Sequence, residues 1–368
     1  MEGPRFVHAA VSLNPSPGVI RQMRDEALAA TDLGISWTVL FVRAKTARRE
    51  ADRWTNAMRY LLLRARFYYR VVRLSRSGYI VVLRHSVGDP LQYLASLFIR
   101  PYYTVHHAME EDEVVALDGP WSRVQLALER TLGRRTVARS KGLICVTREI
   151  AQYQRERCGI QDDKSVLIYP NGIRLEQTLP ELRDAREGCP EVLFVAGTFF
   201  PWHGLEPLIE SVLNSNQDAV LHLVGLVPSD VKGKLLDVSR VRIHGQLQPH
   251  ELQALYQRAW LGLSSFRLAH TRMQEACTLK VREYLSWGIP VYAGHRDAGL
   301  PNRFAYFRQG PPDWSNIIAA ARDFRGVSRE TVITEARPHI DKTLLLARLH
   351  HSLATAHSCQ QLEAGTKH

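Results

Sequence analysis

The stretch Glu275-Ala276-Cys277-Thr278-Leu279-Lys280-Val281-Arg282-Glu283-Tyr284-Leu285-Ser286-Trp287-Gly288-Ile289-Pro290-Val291 holds two carboxylates with seven residues between them, and a helix begins between the two. Thr278 stands at the candidate N-cap, while Gly288 and then Pro290 end the helix before a short strand from Val291. The first N–H groups of such a helix, near Thr278 and Leu279, have no intrahelical acceptor and form an anion site. Lys280 and Glu283 are three residues apart and share a helix face close to that end. The segment therefore offers a diphosphate N–H donors and an ammonium, and offers hydroxyls the carboxylates of Glu275 and Glu283. A nucleotide-sugar carries both kinds of group.

Outward from this segment, short apolar runs alternate with helical patterns. Candidate strands are Phe6–Val11, Trp37–Val42, Tyr79–Leu83, Tyr102–His106 and Leu143–Thr147, then Val192–Ala196, Val220–Val224, Val241–His244, Leu261–Ser264 and Pro290–Ala293. Helical stretches lie between most of them: Gly18–Thr31, Ser122–Arg139, Gly204–Leu213, Pro249–Arg258 and Thr278–Ser286. Strands that are apolar throughout belong in a parallel sheet covered on both faces. The alternation, run twice, predicts an α/β chain of two doubly wound, Rossmann-like units. Residues 174–191 are polar, contain two prolines and lack a strand signal, so they read as the linker. The expected division is 1–175 and 176–368, with the helical stretch Ile340–Leu353 crossing back onto the first domain and a solvated tail after it.

The spacing of Glu275 and Glu283 resembles the E-x7-E motif of retaining glycosyltransferases of GT-B fold, in the large GT4-like group. That resemblance implies two Rossmann-like domains facing a central cleft, an N-terminal acceptor-binding one and a C-terminal one for the nucleotide-sugar. Asn14-Pro15-Ser16-Pro17-Gly18-Val19 is similar to the loop that faces acceptor and donor phosphates, with Gly18 admitting close backbone approach to an anion. His106, at the end of Thr104-Val105-His106-His107, matches the strand-end histidine that reaches the donor sugar, and His107 is the alternative. The acidic run Glu110, Glu111, Asp112 and Glu113 reads as a solvated loop or one that positions acceptor hydroxyls.

Tyr169-Pro170-Asn171-Gly172-Ile173 matches the P-N-G-[IV] signature before the interdomain linker. Its role reads as structural, a corner in which Asn171 and Gly172 take positive φ. The segment Val195–Ile209 resembles the G-R-x(4)-K-G run that opens the second domain, but Thr198 stands at the Arg position and His203 at the Lys position. The chain is similar instead to a branch carrying Trp-His-Gly, here Trp202-His203-Gly204. Lys280, with His203 and the Gly197 backbone, is expected to replace the missing cations. Gly225 ends one strand-then-glycine unit of the base and ribose pocket, and the segment from Gln246 through Leu252, Leu247 included, is expected to hold the base by backbone bonds.

At 368 residues the chain is long enough for two cores. Its 45% hydrophobic and 23% charged residues are those of an ordinary globular protein. No apolar run reaches bilayer length, and no signal-peptide pattern opens the sequence. Five widely spaced cysteines with no CxxC pair argue for a reducing compartment and against a zinc site, so a cytoplasmic location is expected. Much of the +11 net charge lies between Arg43 and Arg76, mixed with aromatic and aliphatic residues. Such a segment suits the anionic inner face of a bacterial membrane; a domain helix with its arginines in water is the equal alternative. Nucleic acid ranks last, because no nucleic-acid motif accompanies the charge.

The expected function is therefore that of a metal-independent retaining hexosyltransferase. It would move a sugar from a UDP- or GDP-sugar to a saccharide or lipid-linked acceptor in bacterial surface polysaccharide or glycolipid synthesis. No cofactor is expected beyond the donor itself. His106, Glu275 and Lys280 are the expected catalytic groups; Gly18, Gly197, Thr198, His203, Gly225, Leu247, Thr278, Leu279 and Glu283 are the expected donor contacts. A nucleotide-sugar epimerase or phosphorylase of the same two-domain shape is one rival, and a non-catalytic scaffold is the other.

Overall fold

The computed structural model describes residues 3–44, 53–117, 119–160, 164–175, 184–235 and 238–365. The centre of the expected linker and the basic residues 45–52 lie outside the described residues. The chain divides into two compact units, Met1–Pro170 with Lys342–His368, and Asn171–Asp341.

The first unit runs β1 (Arg5–Leu13), α1 (Pro17–Leu33), β2 (Trp37–Ala44), α2 (Arg53–Arg76), β3 (Tyr79–Arg84), α3 (Pro90–Ser96), β4 (Tyr102–His106), α4 (Glu110–Leu117), α5 (Ser122–Leu128), α6 (Arg134–Arg139), β5 (Gly142–Cys145), α7 (Arg148–Cys158) and β6 (Ser165–Ile168), joined by the C-terminal helix Lys342–Gly365. Its six strands form one parallel sheet in the order β2-β1-β3-β4-β5-β6. Alternate strand residues serve opposite faces. Phe6, Ile80, Val82, Tyr103, Val105 and Ile144 pack with Ala29 and Ala30 of α1 and with Leu345, Leu346, Leu349 and Leu353 of the C-terminal helix. Val7, Ala9, Val81, Leu83 and Tyr102 pack with Phe67, Tyr68 and Val71 of α2. Each leucine sealed in this way contributes roughly 1.5–3 kcal/mol. The continuous apolar strands are thus explained by two covered faces.

The second unit runs β7 (Glu191–Thr198), α8 (Leu205–Leu213), β8 (Val220–Leu226), α9 (Ser229–Gly233), β9 (Val241–Gly245), α10 (Pro249–Arg258), β10 (Leu261–Leu263), β11 (Glu275–Ala276), α11 (Leu279–Ser286), β12 (Val291–Ala293), β13 (Arg296–Asp297), β14 (Phe307–Gln309), α12 (Trp314–Asp323) and α13 (Arg329–Ile340). Six parallel strands lie in the order β14-β12-β10-β7-β8-β9, and β11 and β13 form a separate parallel pair. One core, centred on Phe194, Leu221, Leu223, Leu261, Leu263, Tyr284 and Trp314, fills this unit.

Several expectations are corrected by the structure. The run Ser122–Arg139 is interrupted by one π turn over Glu129–Gly133. A Cβ at Gly133 would lie 2.2 Å from the Glu129 carboxylate, so the glycine lets that carboxylate fold back over the turn. Glu110, Glu111, Asp112 and Glu113 are the first turn of α4, where four acids complement the helix dipole. Asn171 and Gly172 are not among the positive-φ residues. The helix after Leu353 continues to Gly365 instead of giving way to a tail.

Candidate active site

The two acids of the opening stretch are held quite differently. Glu275 lies in β11, whose register pairs it with Arg296, and its buried carboxylate is ion-paired to the Arg296 guanidinium. Glu283 lies one turn into α11, half-buried, and accepts the Tyr256 hydroxyl at 3.4 Å. The loop between β11 and α11 is braced by a residue far away in sequence. Asn171 donates from Nδ2 to the Cys277 carbonyl (2.6 Å) and from its backbone N–H to the Cys277 Sγ (3.0 Å). Its own carbonyl accepts from Arg282 Nε at 2.9 Å, and the rest of that buried guanidinium pairs with both oxygens of Asp297. Burial opposes the charge on Arg282, but Asp297 more than restores it and holds the pKa above the usual value. Sequence reasoning saw Arg282 only as part of the helix; the signal for its role was an arginine on an otherwise apolar face.

Thr278 occupies the N-cap position of α11, yet its side chain does not cap. Its hydroxyl lies 3.3 Å from Ser264 Oγ, which lies 3.0 Å from His295 Nε2. His295 Nδ1 is 3.1 Å from the Arg296 carbonyl, which can only accept, so the proton sits on Nδ1 and Nε2 accepts from Ser264. Ser264 in turn accepts from Thr278. The N–H groups at the start of α11, Leu279 among them, are consequently not taken by the Thr278 side chain.

Lys280 follows in the first turn. Its Nζ is buried, has no hydrogen-bond partner among the described residues and sits 5.0 Å from the centre of the Phe194 ring. Burial pulls its pKa down to about 7, with Glu283 opposing the fall. His203 is also buried, and its Nδ1 accepts the Phe200 N–H at 2.9 Å. Burial, then the nearby Lys280, lowers its pKa to about 2. His203 is therefore neutral, which corrects the expectation that it supplies positive charge in place of the missing lysine.

Gly197 and Thr198, at the end of β7, are both exposed, and a Cβ built on Gly197 would meet nothing within 4 Å. Gly225 serves packing: at φ +122°, a Cβ there would lie 1.5 Å from the Ala196 carbonyl oxygen. Leu247 is half-buried against the core of the second unit. Within this unit Lys280 and His203 both lie against the Phe194 ring of β7, while Glu275 is engaged by Arg296.

The remaining expected residues belong to the first unit. Gly18 lies in the first turn of α1, where Ser16 Oγ accepts from the next residue, Val19, at 3.4 Å. His106 ends β4 and is buried, its Nδ1 2.5 Å from Glu110 Oε1. Its Nε2 has no hydrogen-bond partner among the described residues. His107 is half-buried, and burial beside Arg84 and His8 holds its pKa well below the usual imidazole range. Glu110, read from sequence as part of a solvated loop, is thus a buried partner of the expected strand-end histidine. The i, i+4 spacing of His106 and Glu110 was the available signal.

Two units, each a six-stranded parallel sheet between helices, define the GT-B fold of glycosyltransferases. Residues 18–177 match the family model described as Glycosyltransferase Family 4. A glycosyltransferase from Rickettsia africae ESF-5 superposes with a TM-score of 0.65 at 15% identity, covering 96% of this chain and 98% of that one. Anabaena HepE, solved in complex with UDP and glucose, gives 0.63 at 13% identity over 96% and 100%. Sucrose-phosphate synthase from Thermosynechococcus elongatus gives 0.62 at 16% identity over the same shares, 96% and 100%. No curated protein matches the sequence.

Proposed function

We propose that this protein is a retaining, metal-independent glycosyltransferase that moves a sugar from a nucleotide-sugar, UDP-linked in the first instance, to a saccharide or lipid-linked acceptor. The observation that carries the reading is the Lys280 Nζ in the first turn of α11, which has no hydrogen-bond partner among the described residues and lies over the Phe194 ring of β7, the strand that ends at the exposed Gly197 and Thr198. Departure of a nucleoside diphosphate leaves negative charge on the phosphate and positive charge on the sugar ring. The open N–H groups of α11 and Lys280 stabilise the first, which is the service a metal ion gives in other transferases. Glu275 and Glu283 are the acceptors for sugar and ribose hydroxyls, and His106 is assigned to the donor sugar. In the retaining route the acceptor attacks on the face the phosphate leaves and the phosphate oxygen takes its proton, so no separate side-chain base is needed. HepE, with its UDP and glucose, makes UDP-glucose the first donor to try.

Peripheral contact with an anionic membrane belongs to the same reading, with surface polysaccharide or glycolipid assembly in a bacterial cytoplasm as its setting. On α2, Phe67, Tyr68 and Val71 are buried in the core, yet Met58, Leu61, Leu62 and Tyr69 are exposed among exposed Arg59, Arg66, Arg70 and Arg73. Apolar side chains flanked by arginines suit lipid headgroups. Among the described residues no helix is long and apolar enough to cross a membrane.

Thermal-shift screening against UDP-, GDP-, ADP- and dTDP-sugars tests the reading, since a donor that binds the folded state raises the midpoint. A shift with UDP-glucose, and hydrolysis of it that Glu275→Ala abolishes, is the expected result. No shift with any donor would favour a non-catalytic scaffold, and sugar inversion from donor alone would favour an epimerase.

A further inference from the structure

Glu110 is held from every side. Its Oε1 lies 2.5 Å from His106 Nδ1, and its Oε2 takes Gln154 Nε2 at 2.5 Å and Arg157 at 3.3 Å. Arg157 donates from Nε to Gln154 Oε1 (2.8 Å) and from its other branch to Glu129 Oε1 (2.6 Å). Glu129 in turn accepts the Gly88 N–H at 2.7 Å and contacts His85 Nε2 at 2.9 and 3.1 Å, with the His85 ring 5.0 Å from that of His106. Arg157 and its contacts fix Glu110 as a carboxylate of one orientation, although its residue is buried.

We infer that Glu110 is a positioning residue for the transfer reaction: it holds His106 in the tautomer with hydrogen on Nδ1 and leaves Nε2 as a bare acceptor for a sugar hydroxyl. A carboxylate only accepts, so the hydrogen between it and Nδ1 must come from the imidazole. Nε2 then carries a lone pair, and it is the ring nitrogen that nothing else in the described chain occupies. A hydroxyl of the donor can donate to it; a deoxy position cannot, and would leave Nε2 buried and unpaired. The carboxylate also raises the basicity of the ring it holds. This inference rests on the assignment of His106 to the donor sugar made above.

The substitution Glu110→Gln separates positioning from bulk. Gln154 donates to residue 110 and the Arg157 guanidinium faces it across an ion pair, so a glutamine there turns its carbonyl to them and its NH2 to His106 Nδ1. That forces the hydrogen onto Nε2 and converts the acceptor into a donor at unchanged side-chain volume. Imidazole 15N spectra of the full-length protein should show a protonated Nδ1 and a pyridine-type Nε2 on His106 in the wild type, and the reverse in E110Q. With UDP-glucose as the probe, the hydrolysis kcat should fall by about 10–100-fold while KM stays within about 3-fold. The loss should vanish in a His106→Ala background, because Glu110 acts through that ring. A wild-type His106 protonated on Nε2, an unchanged tautomer in E110Q, or an equal kcat loss in both backgrounds would overturn the inference. Full activity of His106→Ala would instead remove His106 from the proposed function, and the spectra would still decide the tautomer.

Discussion

Asn171 and Cys277, more than a hundred positions apart, are hydrogen-bonded to each other: Asn171 Nδ2 donates to the Cys277 carbonyl at 2.6 Å, its N–H donates to the Cys277 Sγ at 3.0 Å, and the thiol faces the Asn171 carbonyl at 3.8 Å. The asparagine of the P-N-G signature thereby braces the loop that launches α11. Asn171→Ala should lower stability by about 1–3 kcal/mol through loss of a half-buried bond, read as an earlier midpoint in urea unfolding. Donor affinity should fall with it, since the N–H groups after Cys277 lose their fixed direction. An unchanged midpoint and an unchanged thermal shift with UDP-glucose would show the brace to be idle.

Lys280 has a folded pKa of about 7 against an ordinary value of 10.5. From about pH 7 to pH 10.5 the unfolded chain therefore binds a proton that the folded chain does not, and this residue makes stability rise with pH across that window. Below the folded pKa its unfavourable contribution is constant. Lys280→Met should flatten that rise and stabilise the free protein by an amount on the order of a few kcal/mol at neutral pH. It should also abolish UDP binding. Calorimetric titration with UDP at pH 8 in buffers of different ionisation heat should show uptake of about one proton by the wild type and none by K280M. Proton uptake that survives the substitution would assign the anion site to another group.

The sequence made the two parallel sheets legible because their strands are buried on both faces and so are unbroken apolar runs. Tyr102–His106, buried at every position, has the expected bounds for that reason, and the helix Pro249–Arg258 has them because a proline marks its first turn. The shortest or most polar elements, Ser165–Ile168 and Phe307–Gln309, escaped because three or four residues set no period. Glu110 escaped for a different reason. Four consecutive acids resemble a solvated run, and only the fold brings Gln154 and Arg157 beside the first of them. The neutrality of His203 was equally invisible, since it follows from burial and from Lys280, which lies more than seventy positions away.

Two glycines of the second unit should respond in opposite ways. Gly225→Ala forces a methyl into the Ala196 carbonyl at a backbone φ that side chains rarely adopt. It should destabilise by about 3 kcal/mol or more, seen as loss of soluble protein or a sharply lowered Tm. Gly197→Ala meets open space, so its Tm should stay within a few degrees. Its cost should instead appear as weaker UDP-glucose binding, because the methyl stands where a phosphate is expected to approach. Reversal of these two outcomes would move the donor site away from the end of β7.

The exposed face of α2 makes a last prediction that needs no donor. Its arginines supply attraction at about 1 kcal/mol each near an anionic surface, and its exposed Leu62 and Tyr69 supply burial into the headgroup region. Co-sedimentation should be strong with vesicles containing phosphatidylglycerol and weak with phosphatidylcholine alone, and it should fall as salt rises. Leu62→Glu with Arg70→Glu should abolish binding at an unchanged Tm, since both side chains are exposed in the folded unit. Binding that is equal on the two lipids, or that survives the double substitution, would leave α2 as a domain helix whose arginines do no more than meet water.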